Sequence, residues 1–353
     1  MRILIAAPTA FPTLTGNAIT AERWRRSLIK LGLDVRVVSS QNKNPQSLYE
    51  VIKGFKPDVI HGHHAFKTGS LLIDNKNSHP LHNVPFVISC AGTDINHDIE
   101  SHEKKGVIIS VLKATHGVIT QSKDIALKLQ GLLNGFHVQV HHIPKSLMWF
   151  GKTFFDLRGT IGCQPSDILF FLPAGIRPVK RNLECLDALS EVHKIRQSIK
   201  VVFAGPVLDT EYAKRFFEML EHCKGFACWI EAIPTEAMRS AYNGADVVLN
   251  ASSSEGFSNV LLEAMASGRP ILASDIQSNR LAVIGDNSDR ACGYLFDLDN
   301  KADFVNKAVR LIDNERLRES LAENGLIMAR KWPKPEEEAK MLVDIYKKAI
   351  VQR

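Results

Sequence analysis

Two glutamates, Glu255 and Glu263, lie eight residues apart, one before and one inside a segment with clear helix boundaries. Ser258 can cap the start of that helix, Gly268 suits its C′ position, and Pro270 prevents its continuation. The first turn of a helix carries unpaired N–H groups and the positive end of the dipole, which favour a phosphate. Glu263 could then accept hydrogen bonds from a ribose diol, and Glu255 could face a sugar carried by the same diphosphate. The two carboxylates alone would also fit a loop end and a solvated helix face.

The segments around this helix favour a ligand site. Residues 245–250 have the pattern of a buried strand, residues 252–254 form a polar loop, and residues 271–274 have the pattern of another strand. A strand, loop, helix and strand in this order place both glutamates at the carboxyl edge of a parallel sheet. Ligands of such sheets bind at that edge.

The pattern E-G-F-x-x-x-x-x-E-A-M-A-x-G-x-P over residues 255–270 resembles the signature of glycosyltransferase family 4, whose members are retaining enzymes with the GT-B fold. Further resemblance covers residues 172–180, 201–206 and 332–345. Residues 15–20 and 92–94 resemble a subgroup that includes the animal glycosyltransferase 1 domain-containing proteins and, more distantly, bacterial selenosugar synthases.

Arg177 and Lys180 follow a buried strand and a turn at Gly175. Fixed cations at this place would stabilise the charge that develops on a diphosphate leaving group. Such a basic pattern is also common on protein surfaces, and Arg181 could replace Lys180. The resemblance implies that Arg177, Lys180 and Glu255 serve the reaction itself. It implies that the donor is bound by a larger set of residues: Glu263, Gly256, Phe257, Ser258, Asn259, Val260, Gly16 and Asn17.

Gly16 and Asn17 lie in the loop after the first predicted strand. Glycine permits close approach of the backbone to a ligand, and Asn17 can start the following helix. In the family this loop lies against the transferred sugar and the diphosphate. A plain turn is the alternative.

A group of histidines ends the strand that begins at Asp58. Alternation along a strand would send His61 and His63 to one face, but the sequence nearby has no matching carboxylate cluster, so we expect no metal site. The resemblance places His63 on the acceptor and sugar side. Many relatives carry a histidine where this chain has Ala91, and we expect Asp94 or His97 to compensate. Residues 144–147 also replace the usual P-N-G-V-D element, which indicates that sugar or acceptor specificity has changed.

Composition is that of an ordinary globular protein, with 45% hydrophobic and 23% charged residues in a chain of 353. The sequence contains no apolar run of the roughly 20 residues that span a bilayer, and its start predicts a strand rather than a signal peptide. The six cysteines lack the spacing of a zinc site and are expected to be buried thiols of a cytoplasmic protein.

Charge is concentrated in the first part of the chain. Residues 1–150 carry 17 Lys and Arg against 10 Asp and Glu, and 11 of the 13 histidines. This balance suits an anionic partner, such as a phosphorylated acceptor or the surface of a membrane. A solvated surface without a partner explains it equally well. No nucleic-acid-binding motif is evident.

The alternation of strand and helix patterns predicts an α/β protein with two Rossmann-like, doubly wound parallel sheets that face a central cleft. The predicted domains are 1–150, joined by the C-terminal helix 336–353, and 166–331. Residues 147–165 have no periodicity and are the predicted linker. In the first domain we predict strands at 2–7, 34–38, 58–61, 85–89, 117–120 and 138–143, and helices at 18–31, 46–54, 104–113 and 123–132.

Together these features predict a metal-independent, retaining glycosyltransferase that uses a nucleotide-diphosphate sugar, with uridine assumed from family frequency, and needs no cofactor. The sequence does not identify the acceptor. A transferase acting on a small chalcogen nucleophile and a nucleotide-sugar-binding protein without turnover are the alternatives.

Overall fold

A computed structural model describes residues 1–41, 43–74, 79–80, 83–285 and 290–352. The chain forms two compact units. The first comprises Met1–Met148 and Pro333–Arg353, and the second comprises Trp149–Trp332. Each unit is built around its own six-stranded sheet in which all strands are parallel. The predicted α/β class with two doubly wound sheets is therefore confirmed.

The sheet of the first unit has the strand order β2-β1-β3-β6-β7-β8. The inner strands Arg2–Ala7, Val59–His63 and Phe86–Cys90 are buried almost throughout because helices cover both faces of the sheet, whereas the edge strand Asp34–Ser39 is only partly buried. The strands are β1 (Arg2–Ala7), β2 (Asp34–Ser39), β3 (Val59–His63), β6 (Phe86–Cys90), β7 (Val118–Thr120) and β8 (Val140–His142), while β4 (Ile73–Asp74) and β5 (His79–Pro80) form a separate antiparallel pair. The helices are α1 (Gly16–Lys30), α2 (Pro45–Phe55), α3 (Thr93–Asn96), α4 (His102–Ala114) and α5 (Lys123–Leu132).

The sheet of the second unit has the strand order β11-β10-β9-β12-β13-β14. Its first strand, β9, lies in the middle of the sheet between β10 and β12. The strands are β9 (Ile168–Pro173), β10 (Ile199–Ala204), β11 (Ala227–Ile230), β12 (Val247–Asn250), β13 (Ile271–Ser274) and β14 (Gly293–Phe296). The helices are α6 (Asn182–Ile195), α7 (Thr210–His222), α8 (Met238–Gly244), α9 (Asn259–Ala266), α10 (Gln277–Val283), α11 (Lys301–Asp313) and α12 (Glu315–Ala329).

The predicted linker is only partly a linker, because most of residues 147–165 pack on the second unit. Leu157 is buried in the core of this unit, and Trp149 and Phe155 pack against the same core. Arg158 pairs with Asp246, with 2.8 Å between its Nη1 and the carboxylate oxygen Oδ2. The segment has little helix or strand, so its sequence shows no hydrophobic periodicity. Its large apolar residues nevertheless pack on the second unit.

The last helix, α13 (Pro335–Val351), belongs to the first unit and packs against α1. Its fully buried Glu338 accepts hydrogen bonds from two nitrogens of Arg23, each at 3.1 Å, and from Nε1 of Trp24 at 2.7 Å. Gln121 Nε2 and Ser146 Oγ donate to the same carboxylate. Burial opposes the charged form, but Arg23 and the hydrogen bonds outweigh it and lower the pKa of Glu338. This carboxylate fastens the end of the chain to the first unit.

Replacing Glu338 with alanine should destabilise the first unit by about 3–5 kcal/mol, because Arg23 would stay buried without its partner. Glu336→Ala is the matched control on the same helix. Its ion pair with Lys30 is exposed at the surface, so it should cost less than about 1 kcal/mol. Hydrogen exchange of α1 and α13 peptides as a function of urea measures the stability of this unit. Equal losses in the two variants would contradict a fastening role for Glu338.

Candidate functional site

The second sheet changes winding direction between β9 and β12. The chain moves from β9 outward to β10 and β11, and then returns to the other side of β9 with β12. The loops after β9 and β12 therefore diverge to opposite faces, and ligands of such sheets bind at this point. Arg177 and Lys180 follow β9, and Glu255 follows β12. The topology thus brings together residues that lie far apart in the sequence.

Lys180 and Glu255 form an ion pair across these two loops. Nζ of Lys180 contacts Oε1 of Glu255, and the side chains are only 17% and 14% exposed. Ser252 Oγ donates to the same carboxylate oxygen at 2.8 Å. The backbone joins the loops as well, because the N–H of Ser253 donates to the carbonyl oxygen of Val179 at 2.9 Å. The sequence singled out both charged residues but not their pairing.

The basic residues around Lys180 have distinct environments. Arg181 adopts a left-handed backbone conformation with φ of 50°, and its Nη2 donates to the carbonyl oxygen of Leu298 at 3.1 Å. Its side chain is thus held by the main chain, which favours Lys180 over Arg181 as the ligand-facing cation.

Three buried polar atoms in the segments that follow β9 and β12 make no hydrogen bond within the described part of the chain. They are Nε of Arg177, Nδ2 of Asn182 and Oγ of Ser254. Asn182 is fully buried, and its Oδ1 accepts from the N–H of Arg177 at 3.4 Å. A buried donor without a partner is costly and needs an explanation. A bound anion would supply the missing acceptors. Sequence reasoning missed Asn182 and Ser254, which carry no recognisable pattern.

The helix after Glu255 begins and ends where the sequence predicted. Ser258 occupies the N-cap position of α9, and Gly268, with φ of 59°, follows the C-cap Ser267. The expected side-chain cap is wrong, however. Ser258 Oγ receives a hydrogen bond from Nδ2 of Asn250 at 2.9 Å and does not bind a backbone amide of the helix. The amides at the start of the helix are therefore left for another acceptor.

The other residues predicted to bind the donor here differ in exposure. Gly256 is buried, whereas Asn259 and Val260 in the first turn of α9 are half-buried. Phe257 packs edge-on against Trp332, with 5.7 Å between the ring centroids. Its side chain thus belongs to the core, so only its backbone is suited to meet a ligand.

Glu263 is half-buried on α9, next to the phenol of Tyr242 on α8. Burial, followed by the negative charge of Glu263, raises the pKa of Tyr242 well above its usual value. Tyr242 itself packs edge-on against Phe171. The hydroxyl of Tyr242 makes no hydrogen bond within the described residues, so Glu263 acts on it through its charge.

In the first unit, Gly16 and Asn17 form the start of α1. The helix is capped by Thr15, whose Oγ1 accepts from the N–H of Ala18 at 3.3 Å. The expectation that Asn17 starts the helix is corrected accordingly. Gly16 is exposed, and a Cβ atom there would meet nothing within 4 Å. Packing therefore does not require glycine at this position.

His61 and His63 are both buried at the end of β3 and both contact Trp24, as alternation along the strand implies. The ring centroid of Trp24 lies 4.6 Å from that of His61 and 5.2 Å from that of His63. His61 Nδ1 is 2.6 Å from the hydroxyl of Tyr346, and Nε2 contacts Ser89. Burial lowers the pKa of His61 to about 3. Burial and neighbouring basic groups lower the pKa of His63 well below its usual range, so both rings are neutral.

Asp94 and His97 occupy opposite environments. Asp94 is fully buried. Its carboxylate accepts hydrogen bonds from four backbone amides, those of Ala65, Ala91, Gly92 and Ile95, at 2.8 to 3.2 Å. This bonding gives Asp94 a structural role in the loop, and its contact with a sugar stays a prediction. His97 is 78% exposed. The structure does not bring His63, Asp94 and His97 together as one cluster of exposed groups.

In the described part of the chain, no group of three or more His, Cys, Asp or Glu residues is arranged to hold a metal ion. Nor does any helix in those ranges have the length and apolar character needed to cross a membrane. The six cysteines are unpaired; four are buried as expected, but Cys163 and Cys228 are only half-buried.

Residues 158–328 match the family model described as "Glycosyl transferases group 1". Glycosyltransferase 1 domain-containing protein 1 of Xenopus tropicalis is 26% identical over 272 residues, which cover 74% of this chain and 73% of the relative. Sucrose-phosphate synthase from Thermosynechococcus elongatus has a similar fold, with a TM-score of 0.81, 15% identity and 100% coverage of both chains. Anabaena HepE in complex with UDP and glucose has a TM-score of 0.74, 15% identity and 98% coverage of both chains. The match to the family model thus falls within the second unit, and the predicted GT-B fold is confirmed.

The buried histidines of the first unit should make it sensitive to acid. Because their pKa values are lowered on folding, their contribution to stability is complete above pH 6.5 and is lost as the pH falls toward the folded-state values. When the pH falls from 7.5 to 5.5, His61 and His63 should each lower the free energy of unfolding by about 1.4 kcal/mol. His63→Gln should reduce the pH response by about that amount in urea titrations followed by hydrogen exchange. His97→Gln, at an exposed position, is the control and should retain the wild-type response. An unchanged response in His63→Gln would contradict the neutral, buried state.

Proposed function

We propose that this protein is a retaining glycosyltransferase that moves a sugar from a UDP-sugar to an acceptor bound by the first unit. The observation that carries the proposal is the ion pair between Lys180 and Glu255 at the switch point of the second sheet. It places a cation and a carboxylate side by side next to the start of α9. A nucleotide sugar carries the complementary groups, a diphosphate joined directly to a polyhydroxylated ring.

The phosphate end of the proposed site is basic and rich in donors. Arg177 and Asn182 hold buried nitrogens without hydrogen bonds in the described chain, and α9 begins with amides that the Ser258 side chain does not cap. Diphosphate oxygens can accept from all of these groups. The ammonium of Lys180, already in contact with Glu255, would lie between the diphosphate and the sugar.

The reaction breaks the bond between the anomeric carbon and the diphosphate oxygen, and forms a bond from that carbon to the acceptor on the same face of the sugar. The acceptor proton passes to the departing phosphate oxygen. Arg177 and Lys180 stabilise the negative charge that grows on this leaving group, so they act more strongly in the transition state than in the ground state. Glu255 holds sugar hydroxyls, and its charge is balanced by Lys180. No carboxylate nucleophile and no metal ion are included in this scheme.

UDP is the proposed nucleotide because a solved structure of similar fold, that of HepE, contains UDP and glucose. Glu263 is assigned to the ribose hydroxyls. The excess of basic residues in the first 150 positions supports an anionic acceptor, and it is compatible with a protein that works in the cytoplasm at the periphery of a membrane.

A second candidate is transfer to a small chalcogen nucleophile. Ala91 stands where many relatives have a sugar-contacting histidine, and Ser146 in the altered segment 144–147 is committed to Glu338. Incubation with a UDP-sugar and selenophosphate, followed by mass spectrometry, separates the two candidates. Absence of a selenosugar would exclude the chalcogen reaction.

The donor is identified by thermal-shift screening against UDP-, GDP- and ADP-sugars, since a ligand that binds the folded state raises the melting temperature. The UDP-sugar should give the largest shift.

In Glu263→Ala the dissociation constant for UDP should rise by about tenfold or more, because a hydrogen bond to a charged group is lost. Glu211→Ala is the matched control, since this exposed residue on α7 pairs only with Lys214 among the ion pairs of the described chain. An unchanged UDP affinity in Glu263→Ala would refute the ribose assignment.

Lys180→Met should weaken UDP binding by about tenfold or more, because the diphosphate would lose a charged donor. Arg181→Met should weaken it less than threefold (about 0.6 kcal/mol), since that guanidinium is bound to the carbonyl of Leu298. Isothermal titration calorimetry with UDP compares the two neighbouring variants. If Arg181→Met were the more damaging, Arg181 would be the ligand-facing cation.

A further inference from the structure

A row of buried polar side chains lies behind Glu255, at the carboxyl ends of β12 and β13. Its members are at most 6% exposed. They are Asn250, Ser252, Ser258, Ser274 and Asn279. The strands that lead into this row are apolar, and their residues belong to the hydrophobic core. Polar groups at such positions need a reason, because apolar residues of similar size would fill the same space without the cost of desolvation.

These side chains form a continuous path from α10 to Glu255. Asn279 Nδ2 donates to the carbonyl oxygen and to Oγ of Ser274, each at 3.0 Å. Ser274 Oγ donates to the carbonyl oxygen of Ser252 at 2.5 Å. Ser252 Oγ donates in turn to Oε1 of Glu255 at 2.8 Å. Three hydrogen-bonded steps thus connect a buried helix residue with the carboxylate that pairs with Lys180.

A branch of the same network reaches the start of α9. The N–H of Ser252 donates to Oδ1 of Asn250 at 3.1 Å, and Nδ2 of Asn250 donates to Oγ of Ser258 at 2.9 Å. Ser252 therefore lies where the two paths meet. One path holds Glu255, and the other holds the N-cap residue of α9. The network fixes the spacing between these two points.

The arrangement has a cost that a purely structural role does not explain. Oδ1 of Asn279 is buried and makes no hydrogen bond within the described ranges. A leucine at this position would avoid an unsatisfied carbonyl oxygen. The loop from Ala251 to Ser258 contains no helix or strand, so only side-chain and backbone contacts of this kind can set the direction of Glu255.

We propose that Ser252, Ser274 and Asn279 are positioning residues that orient Glu255 toward the sugar of the donor. They act through Glu255 and do not touch the donor themselves. The inference rests on the proposed function, in which Glu255 contacts the sugar and the diphosphate is held by other groups. It predicts that breaking the path impairs recognition of the sugar and leaves recognition of the nucleotide intact.

The test compares UDP-glucose with UDP in calorimetric titrations of the full chain. Ser274→Ala should raise the dissociation constant for UDP-glucose by about threefold to tenfold, as expected for one lost hydrogen bond, and leave that for UDP unchanged. Ser274→Thr keeps the hydroxyl and should restore binding. Ser252→Ala is a second variant that removes the next step of the path and should have the same selective effect. Equal weakening of both ligands, or of neither, would overturn the proposal.

A double-mutant comparison separates positioning from general destabilisation. In a Glu255→Ala background, Ser274→Ala should cause no further loss of UDP-glucose affinity, because the group that it positions is gone. An additional loss of the full single-mutant size would show that Ser274 acts independently of Glu255. Ser240→Ala is the control, since this half-buried serine of the same unit bonds only with the backbone of Phe155 among the contacts of the described chain. It should change neither affinity.

A crystal structure of Ser274→Ala provides a readout that needs no ligand. The carboxylate of Glu255 should move away from Lys180 Nζ while the β13 backbone stays in place. If the ion pair is retained unchanged, the positioning role is refuted. If the wild-type protein binds neither UDP nor UDP-glucose, the proposed function fails, and the crystal structure still decides whether the path orients Glu255.

Discussion

The ion pair between Lys180 and Glu255 is the interaction on which the proposed site depends. It joins two loops that leave the central strands of the second sheet, and both side chains are mostly shielded from water. Neither charge would be stable in this position without the other, because a partly buried charge needs a partner or a ligand. The pair also fixes the distance between a cation suited to phosphate and a carboxylate suited to sugar hydroxyls. Asn250, Ser252 and the start of α9 are held in register with it.

Much of the fold follows from local patterns in the sequence. The strands β1, β9 and β12 are short apolar runs of the length and composition expected for parallel strands covered on both faces. The boundaries of α9 were predictable because Gly268 takes the left-handed conformation that ends a helix and Pro270 cannot continue one. The position of Arg177 and Glu255 at one edge follows from topology alone, since parallel strands present their carboxyl ends on the same side.

Other parts of the site depend on contacts that no local pattern specifies. The environment of Arg181 depends on its left-handed backbone and on the distant carbonyl oxygen of Leu298. The bond of Ser258 to Asn250 replaces the cap that its position predicted. Asp94 was expected to compensate for the histidine that Ala91 replaces, and nothing in the sequence indicated that four amides of the folded chain bind its carboxylate. The buried Glu338 could not be recognised either, because its partners are contributed by three distant segments.

A crystal structure of the protein with UDP-glucose tests the proposed donor site. We predict diphosphate oxygens within hydrogen-bonding distance of Arg177 and of Lys180 Nζ, with a glucose hydroxyl on the Glu255 carboxylate and the ribose against Glu263. A nucleotide sugar bound elsewhere on the chain, or bound here with Glu255 turned away from the sugar, would contradict it.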